Sequence, residues 1–296
     1  MEQLLVSDGT DNATLTKKNV GETEKRNDTW LLELKIHESN EERSRRMLEA
    51  AAHTVSISGG GNIEYWIENI SEEDNAVPVA AGYSPFRDLR VLSRGLPALP
   101  AEIETRGFTK SDPDEIIRIN NAAFDWHPEQ SGMTIESLTE TQSEAWYADE
   151  DFRILETNNE LRGFCWMKIH VPTNSTLKKG EIYVIAVDPS FQGQGLGRQL
   201  ALSGLEWLSK KKIREVFLYV ESDNYPALKT YDSLGFEHIS TNRCFHESLV
   251  QEAKYHFVFQ SPRRSFLSKL HYQFRRKQVI VPLLRMLLER MKDDTV

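Results

Sequence analysis

Cysteine is almost absent. Cys165 and Cys244 are the two in 296 residues, too few for a disulfide framework or a thiolate zinc centre, and no metal is expected. No stretch of about 18 apolar residues is present, so no integral membrane segment is expected. No secretory leader pattern opens the chain, and a reducing cytoplasm is the expected compartment. Cations are in deficit, 36 Lys and Arg against 45 Asp and Glu, a net charge of −9. That balance argues against a nucleic-acid partner. The deficit is uneven: residues 261–296 carry nine Lys/Arg and three Asp/Glu, net +6, leaving −15 on the rest. A Gly-Lys-Ser/Thr phosphate loop is missing, and so is a G-x-G-x-x-G turn followed by an acid after the next strand. Those absences exclude the two commonest nucleotide sites.

What is present is organised around Gly180 to Leu200, GEIYVIAVDPSFQGQGLGRQL. Glu181 to Val187 is apolar and β-branched, as a buried strand should be. Asp188-Pro189 stops it. Gln192, Gly193, Gln194, Gly195, Leu196, Gly197 and Arg198 then open an amphipathic helix running to about Lys210. A glycine loop at a helix start aims several backbone N–H groups at one point, and the helix dipole adds positive charge there. The bland alternative is a glycine turn that only lets a helix pack on a sheet. The Q-x-x-G-x-G spacing resembles the pyrophosphate loop of the GNAT-type N-acetyltransferases, which implies acetyl-CoA as acetyl donor.

Three further stretches bear on this reading. In Leu218 to Phe236 a strand ends, Asn224 starts a helix, and Tyr231 lies seven residues on, about two turns. A phenol there is suited to protonating a departing thiolate, because the two acidities are close; a core tyrosine before the Leu-Gly-Phe turn is the alternative. Glu181 heads the central strand, and a period of two places Glu181, Tyr183, Ile185 and Val187 on one face. A carboxylate there suits removal of a proton from an amine; a surface glutamate is the alternative. The third stretch, Ile119 to Leu138, contains Asn120-Asn121-Ala122-Ala123-Phe124 and His127-Pro128-Glu129-Gln130. With WMKIH at Trp166 to His170 and GEIYVIAVDP, these strings resemble the mycothiol synthase family from about Ser111 to Phe245.

The resemblance implies a set of roles. Glu181 is the general base and Tyr231 the general acid. Glu129, Lys168 and Glu181 hold a thiol-sugar substrate. Ile185, Ala186 and Val187 with Gln192 to Arg198 bind acetyl-CoA, and Tyr219 with Asn224, Tyr225, Pro226, Ala227, Leu228 and Lys229 completes its groove. The implied reaction acetylates the cysteinyl amine of cysteinyl-glucosaminyl-inositol. An acetyltransferase for another amine and a non-catalytic acetyl-CoA-binding module are the competing readings.

The expected fold class is a mixed α/β sheet of the GNAT type with a truncated, degenerate N-terminal half-copy. Residues 1–29 are expected as a disordered tail. Residues 30–100 read as strand (Trp30 to Ile36), helix (Glu41 to Ala52), strand (Asn62 to Glu68) and helix (Asn75 to Tyr83). This copy is expected to lack its early strands, and Glu41, Glu42, Ser44 and Arg46 replace the anion loop. Glu33 and Glu64 are its candidate substrate acids. Residues 101–260 form the catalytic domain, from a first strand at Glu102 to Thr109 to a closing one at Lys254 to Gln260. Residues 261–296 are a basic extension. A monomer is expected.

Overall fold

The computed structural model describes residues 2–18, 28–37, 40–127, 130–172, 177–250 and the backbone of 275–276. The described residues with side chains divide into two compact units, 2–88 with 241–250, and 89–240.

In the first unit the chain forms β1 (Glu2–Asp8), β2 (Asp11–Lys17), β3 (Thr29–Lys35), α1 (Glu41–Ile57), β4 (Gly61–Ile67) and the short α2 (Ala76–Ala80). β5 (Ser84–Gly95) begins here. β1, β2 and β3 pair antiparallel, β3 and β4 parallel. From Thr241 onward, β10 (Glu237–Leu249) pairs antiparallel with β4. Leu4, Val6, Ala13, Leu15, Trp30, Leu32 and Ile63 turn to one face, where Met47, Leu48, Ala51 and Val55 of α1 cover them. The expectation of a disordered tail at 1–29 is corrected here: β1 and β2 are the early strands that the half-copy was expected to lack. β1 turns Leu4 and Val6 inward with Leu5 between them, and β2 turns in Ala13 and Leu15 among polar residues; each is a short local pattern, and the core they complete lies on α1, some 30 residues on.

The second unit contains α3 (Pro113–Ala123), α4 (Ile135–Gln142), β6 (Phe152–Thr157), β7 (Glu160–His170), β8 (Lys179–Val187), α5 (Leu196–Lys210), β9 (Glu215–Glu221) and α6 (Tyr225–Ser233). β6, β7 and β8 are antiparallel, β8 and β9 parallel, and β5 from Leu89 pairs antiparallel with β9. Asn158 and Asn159 take positive φ, 56° and 60°, as the two-residue turn between β6 and β7 demands. One face packs on α5 through Leu200, Ala201, Leu205 and Leu208. The other packs on α3 and α4 through Ile116, Ile119 and Leu138.

The order β1–β2–β3–α1–β4–α2–β5 repeats β6–β7–β8–α5–β9–α6–β10. The last strand of each run pairs outside its own run, β5 with β9 and β10 with β4. The expected boundary at 100/101 is therefore corrected to 88/89, and among the described residues the second unit ends at Ser240. The 12-residue β5 was not expected, because 84–88 is largely exposed and only Leu89, Val91 and Leu92 bury. The strand expected at Glu102 to Thr109 is a single bridge, Arg106 to Ile154. Side chains satisfy the polar groups of this stretch instead: Asp112 and Glu156 hold the Arg106 guanidinium, and the Thr109 N–H donates to Asp112. The closing strand expected at Lys254 to Gln260 and the basic extension, save the backbone of 275–276, lie outside the described residues.

Candidate active site

β8 and β9 pair at two positions only, Gly180 with Val216 and Glu181 with Phe217. β8 continues six residues past Glu181 and β9 four past Phe217. Beyond Glu181 the strands part, and the backbone of Ile185 to Val187, held by β7 on one edge, has its other edge turned toward the gap. The cause is a bulge. Trp166 pairs with Val184 and Met167 with Ile182, so Tyr183 is the extra residue that bends β8.

The bulge also corrects the expected face. Glu181 lies opposite Lys168, whose ammonium is over the Tyr183 ring, and Tyr183, Val184 and Ala186 pack on the α3–α4 side. Ile185 and Val187 pack on the α5 side. Glu181 therefore shares a face with Tyr183 and not with Ile185 and Val187.

Glu181 is 1% exposed. Its Oε2 lies 2.7 Å from Nε2 of His170, whose ring is 5.2 Å from that of Phe217. Lys168 is buried rather than solvated, its Nζ 4.4 Å from the Trp146 ring centre and 5.5 Å from that of Tyr183. An ammonium over ring faces is attracted by their negative π density, which offsets part of its lost hydration. Trp146, Trp166 and Tyr183 cluster in tilted and edge-to-face contacts with ring centres 5.1 to 5.7 Å apart. Burial and the neighbouring Glu181 and Glu144 charges hold the Tyr183 phenol above its usual range. The structure thus brings Glu181 and Lys168 together. Glu129 lies outside the described residues. His127, two residues before it, is buried and 3.4 Å from Glu221 at the end of β9.

Past Val187 the loop is fixed by Asp188. Its carboxylate accepts from the Ser190 N–H at 2.8 Å and from Arg118 of α3 at 2.7 Å. Burial acts to raise this carboxyl, but those two donors prevail and hold it below the usual carboxylate range. The Gln192 amide reaches back to the Val187 carbonyl. Gly193 and Gly195 have φ of +76° and +77°, a left-handed backbone that side chains disfavour, with open space where a Cβ would stand. α5 starts without a side-chain cap and without an acid in its first turn. α1, at the corresponding place in the first unit, is capped by Asn40 and begins Glu41-Glu42.

Asn224 caps α6, its side chain accepting from the Ala227 N–H. Ala227 and Leu228 lie against the core, while Tyr225, Pro226 and Lys229 are exposed. Tyr219 of β9 has its ring 5.8 Å from that of Phe217. Tyr231 is 6% exposed and edge-on to Phe236. Burial first, then the Cys165 sulfur, raises its phenol above the ordinary value.

Residues 115–236 match the Acetyltransferase (GNAT) family model. A mycothiol acetyltransferase of Amycolatopsis mediterranei is 33% identical over 223 residues, 71% of this chain and 73% of that one. Another, of Mycolicibacterium vanbaalenii, is 36% identical over 72% of each chain. The chain belongs to the mycothiol acetyltransferase family. As a member of that family it is an N-acetyltransferase of the GNAT superfamily. A GCN5-related N-acetyltransferase of Sphaerobacter thermophilus superposes with a TM-score of 0.61 at 17% identity, covering 82% of this chain and 78% of that one. A tandem GNAT protein of the clavulanic acid pathway gives 0.57 at 16% identity, over 83% of each. At those identities the two structures speak for the GNAT fold alone.

His170 is the site residue that sequence reasoning passed over. Its signal was present in WMKIH, where Lys168 and His170, two apart on one strand, share a face.

Proposed function

We propose that this chain moves the acetyl group of acetyl-CoA to the cysteinyl amine of cysteinyl-glucosaminyl-inositol, the step that completes mycothiol. The reading rests on one observation above all: a buried glutamate and a buried lysine face each other across β7 and β8 where β8 leaves β9, in a chain whose relatives are named for this transfer.

Acetyl-CoA supplies a thioester carbonyl and a thiolate leaving group. Two left-handed glycines and the uncapped start of α5, with Arg198 in its first turn, suit its pyrophosphate. The free backbone edge of Ile185 to Val187 suits the thioester oxygen, which gains negative charge as the carbonyl is attacked. The acceptor amine is an ammonium in water and must lose a proton before it can attack. Glu181 takes that proton. The nitrogen then bonds to the carbonyl carbon and the C–S bond breaks. Tyr231 gives its proton to sulfur, the second N–H proton lost as the amide forms returns to the Tyr231 oxygen, and Glu181 releases the first to water. Lys168 and Glu129 hold hydroxyl groups of the sugar. No step needs a metal.

The test is to incubate the protein with acetyl-CoA and cysteinyl-glucosaminyl-inositol, following coenzyme A release and product mass. One acetyl added on the amine is expected. Acetyl-CoA binding without turnover on this acceptor would sink the substrate assignment, and turnover on other amines would then select the competing enzyme reading.

A further inference from the structure

Glu181 is a carboxylate in a nearly closed place, its side chain 2% exposed. Isolated burial of this kind favours the neutral acid, which cannot take a proton. A buried base therefore needs a donor that favours its charged form. His170 is built into the fold as such a donor. It lies diagonally across β7 and β8 from Glu181: His170 pairs with Lys179, and Lys168 with Glu181. The diagonal is within reach of a long side chain, and the Nε2 to Oε2 distance is 2.7 Å. The Phe217 ring, on the β9 residue that pairs with Glu181, backs the imidazole. The His170 side chain is 17% exposed, against 2% for that of Glu181.

The geometry points to His170 as the positioning residue of this base: its Nε2–H holds the Glu181 carboxylate in place at the head of β8. The inference rests on the reading of Glu181 as base. Charged and titratable groups lie on the elements around the pair. β7 supplies Lys168, over the Trp146 and Tyr183 rings. β8 supplies Lys179, ion-paired at 2.9 Å to Glu215 of β9, and the Tyr183 phenol. The segment after α4 supplies Glu144, close enough to act on Tyr183 electrostatically.

His170→Phe keeps a ring against Phe217 and removes the donor; His170→Gln returns an N–H. For His170→Phe, kcat is expected to fall on the order of tenfold to a hundredfold, with acetyl-CoA affinity unchanged. His170→Gln recovers part of the loss. A structural role would not be rescued by His170→Gln. The deciding measurement is the double variant. In a Glu181→Gln background, His170→Phe costs little more, since the group it serves is gone. Additive losses would overturn the inference while leaving the base assignment in place. Wild-type turnover in Glu181→Gln alone would overturn the base assignment, and this inference with it.

Discussion

The Tyr231 hydroxyl sits on a ring packed in the core, and burial keeps it protonated well past neutral pH. That suits a donor, whose proton must be present when the thiolate leaves. Tyr231→Phe retains the ring and its packing on Phe236, so stability and acetyl-CoA affinity are expected to hold. The kcat is expected to drop about a hundredfold or more, read by steady-state turnover beside calorimetric binding. Unchanged kcat would remove Tyr231 as the acid. Lys168 supports a second prediction at this scale. Lys168→Met preserves a flexible apolar filling between Trp146 and Tyr183 but removes the charge. The KM for the acceptor is expected to rise about tenfold or more, with acetyl-CoA binding unaffected; a rise confined to acetyl-CoA would place Lys168 in the donor groove instead.

Among the elements, β8 and the loop after it decide whether a site exists. The bulge at Tyr183 opens the gap, and Asp188 ties the end of β8 to α3. Asp112, at the start of α3, is likewise held low: burial opposes this, but Arg106 and the Thr109 N–H outweigh it. A carboxyl depressed in the folded state adds stability above its unfolded value and loses it as pH falls. Both contributions are therefore present at neutral pH and disappear below about pH 4. Asp188→Asn is expected to flatten part of the acid side of the pH–Tm curve and to weaken acetyl-CoA binding through the loosened loop. An unaltered acid limb would show that Arg118 and Ser190 do not depress this carboxyl. Packing of β7 on β8 gives a further prediction. A Cβ on Gly163 would stand 2.6 Å from the Ala186 carbonyl oxygen and 2.9 Å from Leu200. Gly163→Ala is expected to cost about 1–3 kcal/mol, read as a lowered midpoint in denaturant.

At the scale of the whole molecule, each unit is completed by a strand from outside its own run. β5 pairs with β9 over seven residues, Leu89 to Gly95, and β10 pairs with β4 over seven, Arg243 to Leu249. A chain shortened to residues 96–240 keeps every proposed catalytic residue but bares the β9 edge, an invitation to edge pairing between molecules. It is expected to aggregate or to lose near-ultraviolet circular dichroism to a greater degree than 84–240, in which β5 still covers β9. Soluble, active 96–240 would show β5 to be dispensable.

Much of this was legible in the chain itself. The glycine loop, the α5 and α6 starts, the Asn-Asn turn and the central strand are local matters. Their signals are backbone conformation, capping and periodicity within a few residues, and the strings around Glu181, Lys168 and Tyr231 carry the family. Tertiary structure alone decided the rest. β1 and β2 are strands because α1 covers their few apolar residues, and β5 is one because β9 accepts its backbone. His170 meets Glu181 because of the β7–β8 register, and Ile185 leaves the face of Glu181 because one bulged residue reverses the alternation. Such pairings depend on partners in other elements, and no pattern within one element encodes them.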